Sequence, residues 1–124
     1  ATIHAARGRY EIRGVMGPDE YHEGYPDAAA PGLDNNAYTN LLAVWVLCRA
    51  GEVLELLSDV RRGELIARLG LTADEIGRWE HISRRMFVPF HDDGIISQVE
   101  GYEHLYEEVI ARRAHGRAGA WMTI

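Results

Sequence analysis

Apolar residues fall into three kinds of pattern along this chain, and each predicts a different element. Residues 41–48, LLAVWVLC, are apolar at every position, and a helix of that kind is buried on all sides. Residues 52–70, EVLELLSDVRRGELIARLG, carry Val53, Leu54, Leu56, Leu57 and Val60 at amphipathic helical spacing, and Ile76, Trp79 and Ile82 line one face of a further helix. Residues 14–32 have no hydrophobic period. Their four glycines and three of the chain's four prolines make a long loop, and loops above about 12 residues inside compact domains are usually functional or disordered.

Start and stop signals set the expected boundaries. Residues 1–8 read as the tail of a helix ending at Gly8 in a left-handed C-cap, and residues 10–13 alternate as a short strand does. Asp34, Asn35 and Asn36 offer N-cap side chains, so a helix is expected from there to about Ala50, with Gly51 as its stop. Gly63 breaks or kinks the stretch at 52–70. Thr72 and Glu75 have capping-box spacing and open a third helix running to about Arg85. Phe87, Val88 and Phe90, the turn Asp92-Asp93-Gly94, then Ile95, Ile96 and Val99 predict a short hairpin, with Pro89 confining its strand to an edge. A last helix covers residues 102–114. The fold class is therefore all-α with a long polar loop and a short β-hairpin. A chain of 124 residues has little material to enclose an all-apolar helix, so other helices of a longer parent are expected around it. A start without Met and a stop at Ile124 agree with a longer protein that has been cut.

Composition narrows the partners. With 47% hydrophobic and 26% charged residues the chain reads as one globular domain, and a net charge of −6 leaves no basic face for nucleic acid. All 13 basic residues are Arg, which reads as a bias of the source genome and rules out lysine chemistry within this stretch. Cys48, the single cysteine, is expected as a small buried hydrophobe in a reducing compartment. With no apolar run of about 18 residues, no cationic leader and no lipidation motif, the expectation is a cytoplasmic protein without a membrane partner.

Three polar groups carry candidate chemistry. Asp19-Glu20-Tyr21-His22 sets two carboxylates beside a phenol and an imidazole on a Gly-Pro turn; it reads either as a surface loop or as a general-acid site. Acid work needs a carboxyl still protonated near neutral pH, and for Glu20 both Asp19 and an incoming anionic nucleophile push that way. Asn36 and Asn40 lie one helical turn apart, with Thr39 between them. Such amides and hydroxyls suit neutral polyols, and capping is the alternative use, which also accounts for Asp34 and Asn35. Gln98, Glu100 and Tyr102 form the third set, Tyr102 serving as a stacking surface for a sugar or as core. The six histidines are scattered without metal-ligand spacing, and no phosphate loop, dinucleotide fingerprint or nucleophile elbow occurs, so no metal or cofactor is expected.

GVMGPDEYHE (residues 14–23), LDNNAYTNLLAVWVL (33–47) and GIISQVEGYEHL (94–105) resemble, in this order, segments of glycoside hydrolase family 65. That family holds phosphorylases of maltose, trehalose, kojibiose and related α-glucosides, with some hydrolases. The resemblance covers nearly the whole chain. It implies part of an (α/α)6-barrel catalytic domain, preceded in full-length members by a β-sandwich and followed by a small β-domain. It also implies that Glu20 is the general acid, with Asp19, Tyr21, His22, Asn36, Thr39, Asn40, Gln98, Glu100 and Tyr102 lining or supporting the sugar cleft. The third motif departs from the family pattern, which has Phe-Asp-Gly where this chain has Val99-Glu100-Gly101. The implied reaction is inverting: Glu20 protonates the glycosidic oxygen of an α-glucoside disaccharide while inorganic phosphate, the co-substrate, attacks from the opposite face. An inverting hydrolase needs a second carboxylate to activate water, whereas phosphate is already an anionic nucleophile. The phosphate site is expected beyond Ile124, so these residues leave phosphorylase and hydrolase both open. The nine residues GYPDAAAPG (24–32) are longer than the disaccharide phosphorylases lead one to expect, which points to a different acceptor site. The competing reading is a noncatalytic helical sugar-binding or interaction module. Partners implied are the disaccharide, the rest of the parent catalytic domain, and a second copy of the fragment through its apolar surface.

Overall fold

The structure is a computed structural model that describes residues 1–16, 24, 25 and 28–103. A hairpin opens it. β1 (Thr2–His4) and β2 (Arg9–Glu11) pair antiparallel, with Thr2 opposite Glu11, Ile3 opposite Tyr10 and His4 opposite Arg9. Gly8, at φ 60°, closes the turn and donates its amide to the His4 carbonyl at 2.9 Å. The expected helix tail over residues 1–8 is therefore wrong. A left-handed glycine serves a hairpin turn as well as a helix end, and the β-formers Thr2, Ile3 and Tyr10 decide between them by pairing across strands. An all-α description needs this small sheet added.

α1 (Ala37–Leu56) is 20 residues long, about 30 Å at the helical rise. Asn36 caps it: its Oδ1 accepts from the Thr39 amide at 3.0 Å, and the Ala37 amide, an orphan of the first turn, donates to the Gln98 carbonyl at 2.9 Å. Gly51 does not stop the helix, nor does Gly63 break α2 (Asp59–Leu69). The interruption falls at Leu57 and Ser58, where Ser58 caps α2 on the Arg61 amide. An interior glycine costs only about 1 kcal/mol, which the hydrogen-bond ladder on both sides absorbs; a Ser-Asp pair supplies both a cap and an acidic first turn. α3 (Ala73–Arg85) begins where expected, with Thr72 Oγ1 accepting from the Glu75 amide at 3.1 Å.

β2 ties the hairpin to the end of α3. Tyr10 bridges Met86, the Phe87 amide donates to the Tyr10 carbonyl at 2.8 Å, and the Tyr10 hydroxyl meets His81 Nδ1 at 3.1 Å. The hairpin expected after Phe87 shrinks to one antiparallel bridge, Phe90 with Ile96, around a turn in which Asp93 accepts from the Ile95 amide. The expected last helix lies outside the described residues past Glu103.

α1 packs on α3, and among the described residues Leu33, Ala37, Leu54, Met86 and Val99 are buried. Most of the apolar run in α1 is not covered: Leu41, Leu42, Trp45 and Val46 are all exposed. Cys48 is exposed too, against expectation, because it lines an open groove along α1 and not a packed core. An open groove of about 750 Å³ runs along the C-terminal half of α1, lined by Leu47, Leu54, Ile66, Ile76 and Trp79 among others. No helix among the described residues is long and apolar enough to cross a membrane.

Candidate active site

A polar junction forms where the long loop returns to α1. Its centre is Asn35, fully buried, at φ 51°, a left-handed conformation that asparagine tolerates better than most residues. Asn35 Nδ2 donates to Glu100 Oε2 at 2.7 Å, and its Oδ1 accepts from the Ile12 amide and from Asn40 Nδ2, each at 3.2 Å. Asn40 Nδ2 also donates to the Phe87 carbonyl at 2.8 Å. One side chain thus joins the end of β2, the start of α1 and the Glu100 segment. Asn36 Nδ2 and Asn40 Oδ1 are buried without a partner among the described residues.

Charges surround this centre. Glu11, 2% exposed, accepts from Arg7 Nη1 at 2.9 Å and from Arg13 Nη2 at 2.7 Å. The second terminal nitrogen of Arg7 pairs with Glu100, and its guanidinium lies 4.6 Å from the centre of the Phe87 ring. The Arg7 hydrogen bond first, then that from Asn35, hold the Glu100 carboxyl below the ordinary glutamate value, against the opposing effect of burial.

The junction also grips the loop. Val15 and Leu33 exchange amide-to-carbonyl bonds of 3.0 and 2.7 Å, and Gly24 bridges Gly32. At this neck the backbones nearly touch: a Cβ on Gly32, which sits at φ 109°, would lie 2.6 Å from Gly14 Cα. The Gly14 amide donates to Asp34 Oδ1 at 3.1 Å. Tyr25 reaches out of the loop, its hydroxyl donating to the Glu100 carbonyl at 2.9 Å and accepting from the Asp34 amide at 3.0 Å. Burial raises the phenol above its ordinary pKa, so it stays protonated and a donor at neutral pH.

Of the residues singled out from sequence, Asp19, Glu20, Tyr21 and His22 lie outside the described residues. Asn36, Asn40 and Glu100 meet in or beside the junction, as floor and clasp. Thr39 is half-buried on the same helix turn, its hydroxyl donating to Asn36 Oδ1 at 3.3 Å. Gln98 contributes its carbonyl to the α1 cap, and Tyr102 meets His91 edge-on at 5.9 Å between ring centres. Sequence reasoning missed Arg7, Glu11 and Tyr25, and it treated Asn35 as a cap. Arg7 and Glu11 had no signal, because they meet across a hairpin turn read as helix. Among the described residues no group of three or more His, Cys, Asp or Glu side chains is placed to hold a metal ion.

Comparison with known proteins bears on what such a junction serves. Residues 1–120 match the family model described as the glycosyl hydrolase family 65 central catalytic domain. The chain belongs to that family. An uncharacterized glycosyl hydrolase of Mycobacterium tuberculosis is 59% identical to this family 65 chain over 107 residues, covering 86% of the chain and 8% of the relative. The 1,2-α-glucosylglycerol phosphorylase of Bacillus selenitireducens is 38% identical over 118 residues, 94% of this chain and 14% of the relative. Kojibiose phosphorylase of Caldanaerobacter subterraneus is 31% identical over 117 residues, again 14% of its own length. The chain thus spans about a tenth of these relatives.

Proposed function

We propose that this family 65 segment carries the general acid of an enzyme that cleaves an α-glucosidic bond by inverting phosphorolysis, within an (α/α)6 barrel. The observation that supports the reading is the family match over residues 1–120, and the assignment of Glu20 rests on the resemblance of residues 14–23 to the family's motif. The names of the relatives at 38% and 31% identity favour phosphate over water as the nucleophile. The gripped neck of the loop supports it further, because a catalytic carboxyl must be held to a narrow geometry.

In this reaction the Glu20 carboxyl gives its proton to the glycosidic oxygen as the bond from that oxygen to the anomeric carbon breaks. A phosphate oxygen forms a bond to the anomeric carbon from the opposite face. The products are β-glucose 1-phosphate and the acceptor with a free hydroxyl, and the Glu20 carboxylate regains a proton from solvent. Asp19 and the phosphate dianion both disfavour a second negative charge and so keep Glu20 protonated until then. Thr39, Gln98, Tyr102 and the loop residues Tyr21 and His22 are assigned to the sugar. Asn36, Asn40 and Glu100 are assigned to the frame beneath it.

The test is turnover by the full-length protein with kojibiose, maltose or trehalose, with and without inorganic phosphate. Glu20→Gln is expected to lower kcat by about 10³-fold or more, with thermal stability unchanged. Turnover retained by that variant sinks the assignment. Glucose release independent of phosphate makes the enzyme a hydrolase, and no turnover at all favours a noncatalytic sugar-binding module.

A further inference from the structure

Two buried atoms at the first turn of α1 are loose ends of the polar junction: Asn36 Nδ2, a donor, and Asn40 Oδ1, an acceptor, have no partner among the described residues. Neither amide can be turned round to hide its free end. Asn36 must present Oδ1 to the Thr39 amide and hydroxyl, and Asn40 must present Nδ2 to two acceptors, Asn35 Oδ1 and the Phe87 carbonyl. Asn35 Oδ1 is fixed as an acceptor in turn, because the Ile12 amide donates to it. Asn36 and Asn40 stand one helical turn apart on a single face, and the Asn40 side chain leans back along the helix toward the cap, since it reaches Asn35. Both residues are 0% exposed.

We propose that a single buried water is a fixed member of this junction, its oxygen accepting from Asn36 Nδ2 while one of its hydrogens is donated to Asn40 Oδ1. One free donor beside one free acceptor calls for a neutral group that does both; the Nδ2 hydrogens repel a cation and Oδ1 repels an anion. Two polar partners suffice for an ordered buried water, and a dry site would leave both amides unsatisfied in the interior. Full burial of both residues assigns the oxygen to water and not to a hydroxyl of a substrate. Through this water the cap of α1 is tied to Asn40, and so to Asn35 and to the Phe87 segment that follows α3.

The experiment is a crystal structure of the full-length protein at a resolution that shows ordered waters, for wild type and Asn36→Asp, with the wild-type crystals also soaked in kojibiose, maltose or trehalose. The wild-type map is expected to show one water about 2.7–3.2 Å from both Asn36 Nδ2 and Asn40 Oδ1, in the same place with and without sugar. Asn36→Asp keeps the oxygen that caps α1 and turns the free donor into an acceptor. A water answers by rotating to donate to both side chains, so its peak stays within hydrogen-bond distance of each. Loss of that peak in Asn36→Asp overturns the proposal, because these two atoms are then not what holds the water. So does a wild-type map with no peak, with the two amides bonded to each other, or with an atom from elsewhere in the protein in that place. A sugar oxygen there after soaking overturns the assignment to water. Should the variant fail to fold, the wild-type maps decide alone.

Discussion

The two ends of α1 invert the usual distribution of polar and apolar side chains. At its start, Asn35, Asn36 and Asn40 are fully buried and Glu11 nearly so, each making hydrogen bonds. Along its flank, Leu41, Leu42, Trp45 and Val46 are 43–59% exposed. Buried polar groups persist only where their partners are supplied, because an unsatisfied one costs about 1–3 kcal/mol. Most of the junction's hydrogen bonds are therefore supplied by β2, the loop and the Glu100 segment, while Asn36 Nδ2 and Asn40 Oδ1 have no partner among the described residues. The flank is left exposed among the described residues.

The sharpest way to break the first half of that contrast is at the neck. Gly32→Ala puts a Cβ into the Gly14 backbone and asks alanine to adopt φ 109°, so it should cost about 2–4 kcal/mol. Read by hydrogen exchange over residues 14–33 of the full-length protein, this is about 30- to 1000-fold faster local opening at the Val15 and Leu33 amides. Unchanged exchange would mean the loop is held elsewhere.

The second half is tested on the 124-residue chain alone. Its uncovered flank should drive self-association, and covering the exposed part of the Trp45 indole removes on the order of 100 Å² from water, worth about 2 kcal/mol. Trp45→Glu should accordingly weaken association about 30-fold by light scattering. If the unaltered chain stays monomeric at every concentration reached, the flank is not a docking face and the contrast loses its meaning.

Local signals were legible in sequence where a single side chain decides them. Thr72 announces α3 and Asn36, within a run of three candidates, announces α1. Gly51 and Gly63 misled because glycine is a weak breaker against a cooperative ladder, and Gly8 because one left-handed residue fits two kinds of turn. The polar cluster at Asn36, Asn40 and Glu100 was legible as residue types. Its wiring was not. The bonds from Asn35 to Glu100, from Arg7 to Glu100 and from Tyr25 to Asp34 and Glu100 depend on which segments the fold brings together. The exposed flank was half legible: an all-apolar helix in so short a chain already signalled apolar surface in excess of what the chain can bury, yet Cys48 was expected inside.

The smallest expected effect separates charge from wiring within the junction. Arg7, then Asn35, lower the Glu100 pKa in the folded state relative to its ordinary value. A carboxylate with a depressed folded pKa stabilises the fold above its unfolded pKa of about 4.3, and that stabilisation is lost as pH falls through the lower folded value. Both partners are partly exposed, so the contribution is at most about 1 kcal/mol. Glu100→Gln keeps the length of the side chain and an acceptor for Asn35 while removing the charge. In the full-length protein, the stability gap between wild type and this variant should be level above about pH 5 and close as pH drops below 4. Subtracting the variant cancels the other carboxylates, Glu11 included. A gap that stays constant through that range would assign Glu100 to hydrogen-bond geometry alone and leave the Arg7 pairing without energetic weight. A closing gap makes the junction a charge-dependent clamp on the loop, which the neutral bonds from the Ile12 amide to Asn35 and from Asn40 to Asn35 and the Phe87 carbonyl cannot supply.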